Sequence, residues 1–350
     1  MTADASATQR VRAAKHWGFL MPGPAAAIRQ EVARQEALGV AGVMVPQIFA
    51  PPWAALGVAA ASGDLELATG IAMGFVRSPL ETAMAALDLD RISGGRFTLG
   101  LGTSVRAWNE DRFGVAYAHP LARLRELVAL VRRMTTASEQ ADIGAFEGDF
   151  YATDLRGTRL PRPVRPSIPI WLAPLRAPMV ELSAEVADGL LGHPMWSPRW
   201  IRGEVQQAVA RGLQRAGRSR EQFRVVAFLR VAINNDVDQA TQDAKAGVPM
   251  YAQIEQYDSY FAAHGFGDEA RALQGLAATG APYRQLATAV SDAMAREFVI
   301  VGTPEEAATQ IAALLPFVDE LCLTPPTALA PERTREYEEA IAAHLLPLGG

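Results

Sequence analysis

The side chains able to hold a proton or a metal are thinly spread. Five histidines, His16, His119, His193, His264 and His344, occur along the chain, and none are paired at a metal-ligand spacing such as H-x-H or H-x-x-x-H. A metal-dependent hydrolase is disfavoured, and no metal is expected. His193 follows Asp188-Gly189-Leu190-Leu191-Gly192, a run of strand character, and reads either as a proton donor or as a satisfied structural histidine. Gly100-Leu101-Gly102 also closes an apolar run. Position 105 is valine and no third glycine opens a helix, so a dinucleotide fingerprint fails. These glycines read as a tight strand exit or as a phosphate loop. Cys322, the single cysteine, lies in the apolar run Glu320 to Thr324 and reads as a core thiol; no internal disulfide can form, and a reducing compartment is permitted.

The elements that must position these residues alternate between short apolar runs and longer helix-like stretches, the pattern of a parallel sheet joined by crossover helices. Eight strand candidates follow: His16 to Met21, Gly42 to Val45, Leu65 to Ile71, Phe97 to Gly100, Ile170 to Ala173, Gly189 to His193, Phe223 to Ile233 and Glu320 to Thr324. Helical periodicity runs over Ala25 to Leu38, Pro79 to Ile92 and Leu121 to Met134. Thr303-Pro304-Glu305-Glu306 starts another helix, with a capping threonine, a proline that presets φ, and carboxylates at the positive helix end. The expected fold is an α/β (β/α)8 TIM barrel, one domain over residues 1–350, with insertions after strand four and after strand seven. They cover about residues 137–167 and 236–298. The first carries Phe146-Glu147-Gly148-Asp149-Phe150-Tyr151, a short hairpin candidate; the second clusters Tyr251, Tyr257, Tyr260 and Phe261, to lid a pocket or form a subunit contact.

Composition narrows the partners. The chain has 350 residues, is 49% hydrophobic and 20% charged, and carries a formal net charge of -5. That balance belongs to an ordinary globular protein and argues against nucleic acid. No stretch approaches the ~20 apolar residues of a membrane span, and the first 24 residues lack an apolar core of signal-peptide length, so a cytoplasmic enzyme is expected.

One long motif carries a family resemblance. Ser93-Gly94-Gly95-Arg96-Phe97-Thr98-Leu99-Gly100-Leu101-Gly102-Thr103-Ser104 resembles the strand-four signature of the luciferase-like monooxygenase superfamily. In the same order follow Gly70-Ile71 with Arg77-Ser78-Pro79, Phe146-Glu147-Gly148 with Tyr151, Pro169 to Ala173, Ala187-Asp188-Gly189, and Val301 to Glu305. The resemblance is greatest to the branch that uses the deazaflavin coenzyme F420; a sister branch uses FMN. It implies a non-prolyl cis peptide at Gly70-Ile71, a bulge against which the cofactor's ring bends, with glycine leaving room for backbone approach. Thr103, Ser104 and Asn109 match positions that bind the cofactor's side chain and phosphate. Ala173 opens a loop whose backbone nears the phosphate, with Arg176 standing where relatives carry glycine.

Two departures limit the substrate. After the second strand, where sugar-phosphate dehydrogenases of the family hold an acid and a histidine, stand Gln47 and Ile48, neither a general base. Trp196 stands near the place of their phosphate-binding lysine. With Trp53 and Trp108 it is expected to line an apolar pocket for a ring-containing or lipid-like small molecule; core packing is the alternative for each. Catalysis is assigned to His193, as proton donor beside water, and to Gln47 or Arg77, polarising the acceptor. The expected function is hydride transfer with F420; an FMN-dependent monooxygenase and a cofactor-binding barrel with a degenerate site are the alternatives. The resemblance further implies a homodimer.

Overall fold

The computed structural model describes residues 6–136, 143–161 and 163–347. Part of the first expected insertion, residues 137–142 and 162, lies outside them. The main strands are β1 (Lys15–Phe19), β2 (Gly42–Val45), β3 (Glu66–Thr69), β4 (Phe97–Gly102), β5 (Ile170–Leu172), β6 (Gly189–Leu191), β7 (Arg224–Ile233) and β8 (Glu320–Thr324). Helices follow each strand, and the fold is a (β/α)8 barrel. Burial explains why the strands read as continuous apolar runs: every residue of β2, β4, β5, β6 and β8 is buried, as in a sheet covered on both faces.

The chain divides into two compact units, one of Trp17–Leu191 and Gln207–Val225, the other of Met1–His16, Gly192–Gln206 and Val226–Gly350. Within the first, parallel pairing steps from Trp17↔Gly42 through Val43↔Leu67, Leu67↔Phe97 and Leu99↔Ile170 to Trp171↔Gly189. Its last step is the Arg224 N–H donated to the Asp188 carbonyl at 3.0 Å. Motif residues hold these joints. Arg96 donates to the carbonyls of Ser93 (2.7 Å), Ala60 (3.1 Å) and Leu65. Asp188 Oδ2 accepts from the Ile170 N–H (2.8 Å) and from Arg132 (3.0 Å).

The expected hairpin forms as Ala145–Glu147 against Ala152–Asp154. Its turn is held by one carboxylate, since Glu126 accepts the N–H groups of Asp149 (2.9 Å), Phe150 (3.1 Å) and Tyr151 (2.7 Å).

In the second unit, β7 pairs with β8 from Val226↔Glu320 to Arg230↔Thr324. A further strand absent from the sequence reading, Val299–Gly302, runs parallel to Arg230–Ile233. Lys15, at the start of β1, pairs with Glu320 at 3.4 Å. The expected cap at Thr303 is present, with Pro304 in the first turn, and Glu306 reaches back to complete a capping box. Tyr260 and Phe261 are core residues, fully enclosed beside Phe298, so these two aromatics form no lid. Cys322 is buried, which pushes its thiol up to about 12. Among the described residues no helix is long and apolar enough to cross a membrane, and no three His, Cys, Asp or Glu side chains converge as a metal site would require.

Candidate functional site

In a (β/α)8 barrel the chemistry belongs to the C-terminal strand ends. In the first unit the end of β3 is a built bulge. Ala68 pairs with Thr98 and Ala72 with Leu101, so β3 spends one more residue than β4 over the same stretch. The Gly70-Ile71 peptide bond inside it is cis. Thr69 repairs the interrupted ladder: its hydroxyl donates to the Gly100 carbonyl (2.6 Å) and accepts the Gly100 N–H (2.8 Å). Gln47 clamps the other side, its N–H on the Ile71 carbonyl (3.0 Å) and its Oε1 accepting the Met73 N–H (3.0 Å).

Gly100-Leu101-Gly102 is thereby explained as the floor of this bulge. A Cβ on Gly100 would lie 2.0 Å from the Thr69 carbonyl oxygen, and one on Gly102 would lie 2.8 Å from the Ile71 side chain. A Cβ on Gly70 would meet the Met44 side chain at 2.8 Å. That corrects the reason expected for this glycine, because the added group would strike the buried β2 residue. Gly70 and Ile71 both keep partial exposure at the bulge.

Beyond β4 the chain turns through Ser104, at φ 56. Asn109 fixes that turn from a buried position, its Nδ2 donating to the carbonyls of Thr103 and Val105, both at 2.9 Å. Its Oδ1 is buried without a partner. Asn109 is thus a former of the loop that offers Thr103 and Ser104, both half-exposed. Tyr117 closes the loop, donating within reach of Thr103 Oγ1 and the Ser104 carbonyl, each at 3.3 Å. After β5, Ala173 is half-buried, its N–H bonded to the Leu101 carbonyl at 3.0 Å, while Arg176 is exposed at the N-cap of helix Ala177–Val186.

The remaining expected residues separate. The Arg77 guanidinium lies 5.5 Å over the Trp53 ring and pairs with Glu81 at 2.6 Å, with its Nε and the Trp53 Nε1 both buried and unpartnered. Trp108 carries Arg112 on its ring face at 4.2 Å. Trp196, in the second unit, is 2% exposed and packs where a Cβ on Gly192 would fall. It is a core residue, which corrects its placement at a pocket mouth.

The second unit holds a polar cluster at the end of β6 and on β7. His193 Nδ1 accepts the Met195 N–H (3.2 Å), which leaves the ring proton of the neutral form on Nε2, facing the Tyr257 hydroxyl at 3.2 Å. Tyr251 closes edge-on at 4.7 Å between ring centroids. Part of His193 reaches the surface, yet enclosure of its ring and the positive charge of Arg230 push its pKa down to about 3. The neutral form is therefore the one favoured at physiological pH. Arg230 is the residue that sequence reasoning missed. It stands in register with Thr324, donates from Nη1 to the Thr324 hydroxyl (2.9 Å) and the Pro325 carbonyl (3.1 Å), and its Nε is buried without a partner.

A family model described as luciferase-like monooxygenase matches residues 6–316. An uncharacterized protein of Mycobacterium tuberculosis is 35% identical over 243 residues, 68% of this chain and 71% of that one. A 5,10-methylenetetrahydromethanopterin reductase of Archaeoglobus fulgidus is 29% identical, over 71% of this chain and 72% of its own. A putative coenzyme F420-dependent oxidoreductase of Mycobacterium tuberculosis is 35% identical over 53% of this chain and 56% of its own. Among solved structures, the coenzyme F420-dependent tetrahydromethanopterin reductase of Methanopyrus kandleri aligns at a TM-score of 0.79 and 21% identity, covering 96% of this chain and 99% of its own.

Proposed function

The chain belongs to the luciferase-like monooxygenase family, and on that premise we propose that it is an oxidoreductase using the deazaflavin coenzyme F420 to reduce an activated double bond or imine. The observation that carries the reading is the bulge at the end of β3, with its Gln47 and Thr69 clamps and its glycine floor. The named sequence relatives that use F420 or reduce a methylene-pterin favour the deazaflavin over FMN.

The residues present fit such a group. The partly exposed Gly70 and Ile71, seated on the bulge that Gly100 and Gly102 make room for, suit a flat ring, and the turn at Ser104 presents hydroxyls to a polar tail. Gly70, Ile71, Thr103, Ser104 and Ala173 would hold the cofactor, with the exposed Arg176 as cation for its phosphate. When bound, the cofactor supplies the two-electron hydride chemistry; the protein orients and dries the site.

The protein's own part is positional. Gln47 has its carboxamide oxygen committed to the Met73 N–H, so it braces the bulge instead of polarising an acceptor. Neutral His193 orders the Tyr257 hydroxyl, and the proton that completes a reduction comes from water. Without a base at Gln47-Ile48, alcohol oxidation is disfavoured. The test is anaerobic oxidation of reduced F420 by electron-poor alkene and imine acceptors. Acceptor-dependent turnover supports the reading. Oxygen consumption with reduced FMN, and none of that turnover, would overturn it.

A further inference from the structure

We propose that Arg230 anchors an organic carboxylate, so that the substrate of this enzyme is a carboxylic acid; the enzymatic part of this rests on the function proposed above. Arg230 is a half-buried guanidinium, and among the described residues no carboxylate lies within ion-pair distance of it. Its neighbours are neutral at pH 7: the Thr324 hydroxyl, the Pro325 carbonyl, the Phe228 ring face at 5.2 Å, Tyr251, Tyr283 and Cys322. His193, which feels the same charge, is neutral too. The cluster thus keeps one uncompensated positive charge.

A cation removed from water without a counter-charge is costly, and proteins pair nearly all of them. The one partner group in this cluster that Arg230 does not hold is an anion. Nη1 is spent on Thr324 and Pro325, so the guanidinium is fixed by two bonds and points its remaining edge in a set direction. The Tyr251 hydroxyl is bonded to Arg230, which opposes the rise in its pKa that burial causes. A carboxylate matches this set by geometry and charge, since a guanidinium grips it through charge-assisted hydrogen bonds. The position agrees with this use. Arg230 lies level with Thr324, the last residue of β8, while its own strand runs on to Ile233, so it sits at the depth of the β8 C-terminal end, the end at which barrels of this kind work.

The experiment is calorimetric titration of the purified full-length protein with benzoate and with its uncharged isostere benzamide, each with and without F420. Benzoate is expected to bind at least tenfold tighter than benzamide. Arg230→Met should remove that preference, a loss on the order of ten- to a hundredfold for benzoate, with benzamide and F420 affinities unchanged. Arg230→Lys, which keeps the charge, should restore part of it and guards against a folding defect. Equal binding of the two probes, absence of saturable benzoate binding, or an unaltered preference in Arg230→Met would overturn the proposal. Benzoate preference in a protein that fails to bind F420 would keep the carboxylate site and sink the proposed cofactor.

Discussion

At His193 the protonation state follows from its neighbours, and it sets a measurable pH dependence. Between about pH 6.5, where a free histidine titrates, and about 3, the unfolded chain takes up a proton that the folded residue refuses. Stability therefore falls as pH drops through that window, and His193 contributes nothing to the slope above it. One proton gives at most about 1.4 kcal/mol per pH unit. His193→Gln should flatten the urea-derived stability curve by on the order of 1 kcal/mol between about pH 6 and 5. Superimposable curves would contradict a neutral His193. Thr69 gives a second residue-scale prediction. Thr69→Val keeps the shape but strands the N–H and carbonyl of Gly100, each costing about 1–3 kcal/mol. Urea midpoints should drop accordingly, with Thr69→Ser recovering most of the loss; an unchanged midpoint would remove the hydroxyl from the ladder. His193 was legible as a strand-end residue, but its charge was not, because Arg230 reaches it from a strand over thirty residues away in sequence. Arg230 itself lies inside the apolar run Phe223 to Ile233, with no neighbouring motif to mark it.

The elements were legible where local pattern and burial agree. β2 and β8 match their sequence boundaries, and the helix at Pro304 begins at its capping threonine. The extra strand Val299–Gly302 escaped because its apolar run adjoins that cap and was absorbed into the motif leading to the helix. Tyr260 and Phe261 were grouped with Tyr251 and Tyr257 by sequence proximity, whereas packing sends the first pair to the core and the second to His193. The Phe-Glu-Gly hairpin was visible, but its anchor, Glu126, lies on the helix Pro120–Thr136 and has no spacing relation to it. Glu126→Ala releases three backbone donors at once. Amide exchange at residues 149–151 should accelerate by about tenfold or more, while the β-strand core stays protected. Unchanged exchange at these amides would show that the turn holds itself.

For the whole molecule, the repeating order of strand and helix made the barrel readable, because a parallel sheet buried on both faces leaves continuous apolar runs. The bulge was readable in outline at Gly70-Ile71 and at the β4 signature, since the residues that build it are contiguous within each strand. Its internal logic was hidden: that Thr69 fills the ladder and that two glycines make room for Thr69 and Ile71 are contacts between strands. What the account claims above all is that this bulge and its loops form a seat for the deazaflavin. The most direct measurement is an equilibrium titration of the purified protein with F420 and with FMN, followed by tryptophan fluorescence, in the parent and in Thr69→Val. We expect F420 to bind at least tenfold more tightly than FMN, and Thr69→Val to weaken F420 as the bulge loosens. Tighter FMN binding, or no saturable binding of either cofactor, would contradict it.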